Sequence, residues 1–452
     1  MDLVIRNAKV VDAHFSGMVD IAIEGGDIGA LLSPGTACTA AQELDAQGCI
    51  VMPGLIDAHV HLREPGLTHK ETIATGTAAA VCGGVTTVLD MPNTAPPVSS
   101  PQILKEKGKL VAGQAWADVG FYALLGPGMV HQLAALVEVG CVGFKLFLGP
   151  TTGSLPAPDW GELYEAFQIL ADLGVPVVVH AEDRAWVECG QAQVSNRGVF
   201  DYQSFLIQRP KLGEVSATQQ ICLLAGATGA PIHIAHVTSA EAVEVIGRAK
   251  SYGWSVTAET SPMYLFLSDE DYAAVGTAMK VLPPVRGRTD QAALWAALRN
   301  GIIDMIATDH APHTPADKDQ DLANAAAGAP GVETLLPLLL DAGRQGRCTL
   351  ADITRWCAYE PARRFGFPNK GRIQPGGRAD LVIIDTNEVW TIDQSQLHSK
   401  SCVTPFHGRR GVGKARYAIL AGNIVMADGD LVGRPRGNWV KPTQGGRASH
   451  AR

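Results

Sequence analysis

Five short segments of this chain each carry a metal-binding residue type at the end of an apolar run, beginning with Asp57-Ala58-His59-Val60-His61. Side chains on a strand alternate faces, so His59 and His61 project side by side within reach of a single ion. The run Ile50-Val51-Met52-Pro53-Gly54-Leu55-Ile56 leads into them and reads as a buried strand whose C-terminal end carries the pair. Lys145 in Phe144-Lys145-Leu146-Phe147, His180 after Val177-Val178-Val179, His236, and Asp309 after Met305-Ile306-Ala307-Thr308 complete the set. Together they read as one hydrolytic metal centre. An ammonium has no lone pair for a metal. Among apolar neighbours, however, Lys145 sheds its proton more easily, and the free amine can add carbon dioxide to give an anionic carbamate able to bridge two ions. His233 and His236 are three positions apart and face opposite ways, so only one enters the site; His236 lies nearer the end of its strand.

These residues need a scaffold that gathers strand ends. After the strand that ends at His61, further apolar strands are predicted over 85–93, 119–125, 143–148, 175–182, 231–238, 255–260 and 304–310. Helical stretches such as 159–173 and 240–252 separate them. Eight alternating units predict an α/β chain folded as a parallel (β/α)8 TIM-like barrel over residues 53–370, with catalytic groups at the C-terminal face, where every candidate falls. Residues 1–52 and 371–440 have an all-strand texture and are expected to pair into one small β-sandwich domain built from both chain ends. Residues 441–452, rich in Gly, Ser and Arg, read as a flexible tail.

Composition narrows the function class. With 46% apolar and 18% charged residues, the 452-residue chain is globular rather than disordered. A net charge of −8 argues against a polyanion binder, so a small-molecule substrate is expected and nucleic acid is not. Nine cysteines without a Cys-x-x-Cys spacing argue against a disulfide framework or zinc ribbon and for a reducing, cytoplasmic setting. No apolar run approaches membrane-spanning length, and Met1 to Arg6 lack a basic segment followed by an apolar core, so an unexported protein is expected.

The stretch Asp57 to Gly66, followed by Asp90-Met91-Pro92-Asn93-Thr94, Gly143-Phe144-Lys145-Leu146-Phe147, His180-Ala181-Glu182, Ala235-His236-Val237-Thr238 and Thr308-Asp309-His310-Ala311-Pro312-His313, resembles the amidohydrolase superfamily. Within it the chain is similar to dihydroorotases of the type found in multifunctional pyrimidine-synthesis complexes, and Ser399-Lys400-Ser401 with Thr404-Pro405-Phe406 looks like the same family. The resemblance implies two zinc ions per subunit: His59, His61 and Asp309 on one, His180 and His236 on the other, and carboxylated Lys145 between them. It further implies a hydroxide shared by the ions as nucleophile and Asp309 as the catalytic acid and base, interconverting dihydroorotate and N-carbamoyl-aspartate. A homodimer or tetramer is expected, and aspartate transcarbamoylase is a candidate partner. A catalytically dead barrel scaffolding that enzyme is the reading from another class, and the filled ligand positions speak against it.

The same resemblance makes Arg63, Asn93 and His313 the substrate contacts. Arg63 lies two residues past His61 and keeps its facing while the strand lasts; its planar fork suits a carboxylate. Asn93 reads equally as a turn cap before Pro96-Pro97. One position departs from the pattern: the family's Asn-Pro-Pro-Leu-Arg is here Leu282-Pro283-Pro284-Val285-Arg286, so a polar contact is missing. With Gly328 to Thr334 partly hydantoinase-like, this keeps hydantoinase, dihydropyrimidinase and allantoinase as alternatives.

Overall fold

The computed structural model describes residues 1–151, 155–195 and 200–443. Its centre is a parallel barrel with strands Leu55–Val60, Val85–Asp90, Asp118–Phe121 continued by Ala123–Leu124, Phe144–Phe147, Val177–His180, Ile232–Ile234, Val256–Thr260 and Met305–Ile306. Neighbouring strands pair in parallel, and the first and last meet through a Val60–His310 bridge, with the His61 amide donating to the His310 carbonyl at 2.7 Å. All of these strands are buried along their length, because one face fills the barrel and the other lies under helices. The helices form where sequence signals place them. Asp159 caps Trp160–Leu173, which ends at left-handed Gly174, and Ser239 caps Ala240–Ser251.

The two chain ends build one nine-stranded sheet with a core of its own around Leu3, Ile5, Ile21, Val51, Leu381 and Ile383. The seam is antiparallel pairing of Leu381–Thr391 with Ile50–Pro53. Here the structure differs from the single strand expected over 50–56. Ile50–Pro53 belongs to this sheet and Leu55–Val60 to the barrel, with a break at Gly54, where a Cβ would collide with the Thr86 side chain.

A second difference lies at the C-terminal end. Residues 437–443 leave the β domain and run along the barrel: the Trp439 region pairs with Val119, Val440 N donates to Val119 O at 3.0 Å, and Thr443 N donates to Gly366 O at 3.0 Å. Gly108 makes room for the indole, so the segment is held by packing that its composition does not reveal. Of the tail expected at 441–452, residues 444–452 lie outside the described residues. Among the described residues, no helix is long and apolar enough to cross a membrane.

Candidate metal centre

The metal-ligand candidates converge at the C-terminal mouth of the barrel. His59 Nε2 and His61 Nε2 lie 3.3 and 3.1 Å from Asp309 Oδ1, and ligand atoms of these three residues fall within 4.8 Å of one another. Opposite them, His180 Nδ1 and His236 Nε2 approach to 3.0 Å. Lys145, His180 and His236 line the same cavity as His59, His61 and Asp309.

Three of the four rings are turned by a partner behind them. His59 Nδ1 lies 2.5 Å from Glu259 Oε1, His61 Nδ1 2.7 Å from Asn93 Oδ1, and His180 Nε2 3.0 Å from Glu182 Oε2. An acceptor on one ring nitrogen fixes the proton there and leaves the lone pair on the other, the arrangement a ligating imidazole needs. Burial pushes His61 down to about 4 and also lowers His180 and His236, so these rings are neutral donors at ordinary pH. Burial alone would raise Asp309, but the histidines around it, His59, His61 and His236, hold it ionised well below the usual carboxylate range.

Lys145 is the clearest sign that another group belongs here. Its ammonium is buried with no hydrogen-bond partner among the described residues, and burial lowers it to about 8 despite Glu259 and Asp309. A buried, unpaired ammonium is costly, whereas a neutral amine ready to become a carbamate is not. His236 Nδ1 is likewise without a partner. The donor set of neutral imidazoles, one carboxylate and one convertible lysine fits two divalent ions.

Several site residues stand beyond their strands rather than in them. The first strand ends at Val60, so the alternation argument does not carry Arg63 to the site. Arg63 instead adopts φ 62°, as His236 does at 39° and Asp309 at 50°. Left-handed backbone costs a non-glycine residue about 1 kcal/mol or more, and it turns all three side chains toward the cavity. Asp57 holds the Asp309 turn in place: its carboxylate accepts from the Thr308 backbone at 3.0 Å and the Thr308 hydroxyl at 2.5 Å.

The expected substrate contacts fall into two places. Arg63 and Asn93 line the cavity, Asn93 also serving as the acceptor for His61. His313 sits behind Arg63. Lys70 Nζ donates to its Nδ1 at 3.0 Å, so its Nε2 carries the proton and donates to the Ala327 carbonyl at 3.0 Å. Arg63 therefore meets an N–H at 3.2 Å instead of an acceptor; its Nε has no partner, and it forms no ion pair among the described residues. Burial lowers the guanidinium to about 10. Leu282 and Gly328 also border the cavity.

Glu259 was not apparent from the sequence, although a charged residue inside the apolar strand Val256–Thr260 is a usable signal. It bridges His59 and His233, whose Nε2 lies 3.1 Å from Oε2. Burial works against its charge, yet the two histidines hold it well below the usual range. His233 thus faces away from the cavity and supports the site through Glu259. Glu71 was missed as well: it receives the Ser399 hydroxyl at 2.5 Å and lies 3.3 Å from His310, so the Ser399-Lys400-Ser401 segment steadies the residue next to Asp309.

A model of the amidohydrolase family matches residues 50–425. The chain belongs to this family. Amidohydrolase relatives of near-equal length include an allantoinase of Rubrobacter xylanophilus, 35% identical with 98% of each chain covered. A dihydroorotase of Ehrlichia canis is 38% identical over 87% of this chain and 86% of its own. Among solved structures, the L-hydantoinase (dihydropyrimidinase) from Arthrobacter aurescens superposes with a TM-score of 0.94 at 32% identity, covering 97% of this chain and 99% of that one. The protein is a metal-dependent cyclic amidohydrolase.

Proposed function

We propose that this amidohydrolase opens a cyclic ureide of the allantoin or hydantoin type. The class rests on one observation: two groups of imidazole donors face a buried, partnerless Lys145 across one cavity. Within the class, Leu282 in the cavity wall and the allantoinase and hydantoinase relatives favour these rings over dihydroorotate. Dihydroorotate is the second reading, favoured by Arg63, a buried guanidinium with no ion-pair partner among the described residues. Arg63 suits a ring substituent rich in acceptors, the ureido group of allantoin in one reading and the carboxylate of dihydroorotate in the other.

In this reading His59, His61 and Asp309 would hold one ion and His180 and His236 a second, with Lys145, once its amine has added carbon dioxide, as a further anionic ligand. Divalent ions held there would supply a water of lowered pKa and polarisation of the ring carbonyl. Asp309, whose Oδ1 lies against both histidines, takes the proton of the attacking water and returns it to the leaving ring nitrogen. Arg63 orients the ring by its substituent.

The test is a specificity panel of allantoin, hydantoin, dihydroorotate and dihydrouracil with wild type and Arg63→Met. Allantoin or hydantoin should give the highest kcat/KM, and Arg63→Met should reduce turnover of substituted rings far more than of unsubstituted ones. Preference for dihydroorotate would promote the second reading. Equal effects of Arg63→Met on all rings would remove Arg63 from recognition.

A further inference from the structure

Away from the metal centre, a second set of donor atoms converges in a cleft of about 1170 Å³ bordered by Cys82, Glu333, His398 and Asp430. Cys82 ends the helix Ile73–Cys82. The next residue, Gly83, lacks the Cβ that would collide with the backbone of Val332 and Glu333, so Glu333 is drawn against the helix end. Glu333 then holds His398 twice, accepting from its backbone N–H at 2.8 Å and facing its Nδ1 at 2.9 Å. With the proton fixed on Nδ1, Nε2 keeps its lone pair, and that atom lies 3.6 Å from Cys82 Sγ. The Gly429 carbonyl oxygen is also 3.6 Å from the sulfur.

A thiol, an imidazole and an orienting carboxylate match either an activated nucleophile or a metal-binding pair. The surrounding charge separates the two. Asp393 and Asp430 border the cleft along with Glu333, while the nearby Lys414 is paired with Glu388 at 2.7 Å and Asp428 holds Arg416 at 2.9 Å. Burial first, then Glu333 and Asp430, push the Cys82 thiol well up, which disfavours a free thiolate nucleophile. The same negative surroundings favour a cation. Zinc-to-sulfur and zinc-to-nitrogen bonds of about 2.3 and 2.0–2.1 Å span a tetrahedral edge of roughly 3.5 Å, close to the observed separation.

We propose that Cys82 Sγ and His398 Nε2 form a second binding site for a thiophilic divalent cation of the zinc class, with Glu333 orienting the imidazole. The metal–sulfur bond forms as the thiol proton leaves to solvent, and the Gly429 carbonyl and water are the oxygen donors at hand. The ion fastens the first barrel helix to the segment before Ser399, which itself grips Glu71.

The experiment titrates the enzyme, its catalytic metals in place, with cadmium. Because the catalytic centre contains no sulfur, and the accessible Cys38, Cys189 and Cys402 are replaced by Ser in the background used, near-ultraviolet sulfur-to-cadmium absorbance isolates the new site. The expected result is saturation at about one equivalent, loss of the band in Cys82→Ser and about ten-fold or more weaker binding in His398→Gln. A measurement on wild type alone guards against misfolded variants: cadmium should slow iodoacetamide alkylation of Cys82, read by peptide mass. A band that survives Cys82→Ser, or alkylation of Cys82 at the same rate with and without cadmium, overturns the site.

Discussion

Glu259→Gln isolates what a single buried carboxylate does for the metal centre. The carboxylate accepts from His59 Nδ1 at 2.5 Å and His233 Nε2 at 3.1 Å, whereas a carboxamide offers one acceptor and one donor. One histidine must change tautomer. His233 can do so, because its Nδ1 faces the Thr257 hydroxyl at 2.9 Å, a group that both donates and accepts. His59 therefore keeps its proton on Nδ1 and its lone pair on Nε2, and the substitution removes charge without moving the ring. A hydrogen bond to a charged group contributes about 1.5–3 kcal/mol against about 1 for a neutral one, so the change removes roughly 0.5–2 kcal/mol, a factor of about 2–30. Chelator competition should show metal affinity weakened by about that factor, with most turnover recovered at saturating metal. Glu259→Ala should be worse, leaving two buried donors unsatisfied at about 1–3 kcal/mol each in denaturant unfolding. Metal affinity of Glu259→Gln within two-fold of wild type would refute the positioning role.

Lys145→Ala should lose metal and activity together, and short carboxylic acids added with zinc should restore part of both; activity unaffected by the substitution would exclude a carbamate bridge. Asp309→Asn should lower turnover by about 10²–10⁴-fold, or more if metal is also lost, and near-wild-type turnover would take Asp309 out of proton transfer. Lys370 bridges Asp118 at 2.8 Å and Asp380 at 2.5 Å between barrel and β domain. Lys370→Met should leave two buried carboxylates uncompensated and reduce unfolding free energy by about 3–5 kcal/mol, measured by urea titration, with the kinetics of the remaining folded enzyme unchanged.

The barrel was legible because alternating apolar runs and capped helices are local signals, and His59, His61, Lys145, His180, His236 and Asp309 stood out as polar residues at the ends of such runs. What escaped depends on contacts between distant segments. Glu259 acquires its role only when barrel closure brings the ends of the first, sixth and seventh strands around one mouth. Gly54 looks like part of one strand until Thr86 packs where its side chain would be. The position of Arg63 was inferred from strand periodicity, yet it is reached through a left-handed turn that no periodicity encodes. The segment containing Trp439 looks polar and loose until Gly108 provides a seat for the indole.

The pairing of Ile50–Pro53 with Leu381–Thr391 has a consequence for how the chain is made. Emerging from the ribosome, the strand that leads into His59 waits for a partner encoded beyond the entire barrel. At about 5–20 residues per second that wait is roughly 15–60 s. During it, a buried apolar edge with open backbone donors and acceptors is exposed, the kind of template that recruits other chains. Nascent-chain aggregation, and the holding activity of chaperones, should therefore centre on the N-terminal strands long after the barrel's first helices have formed.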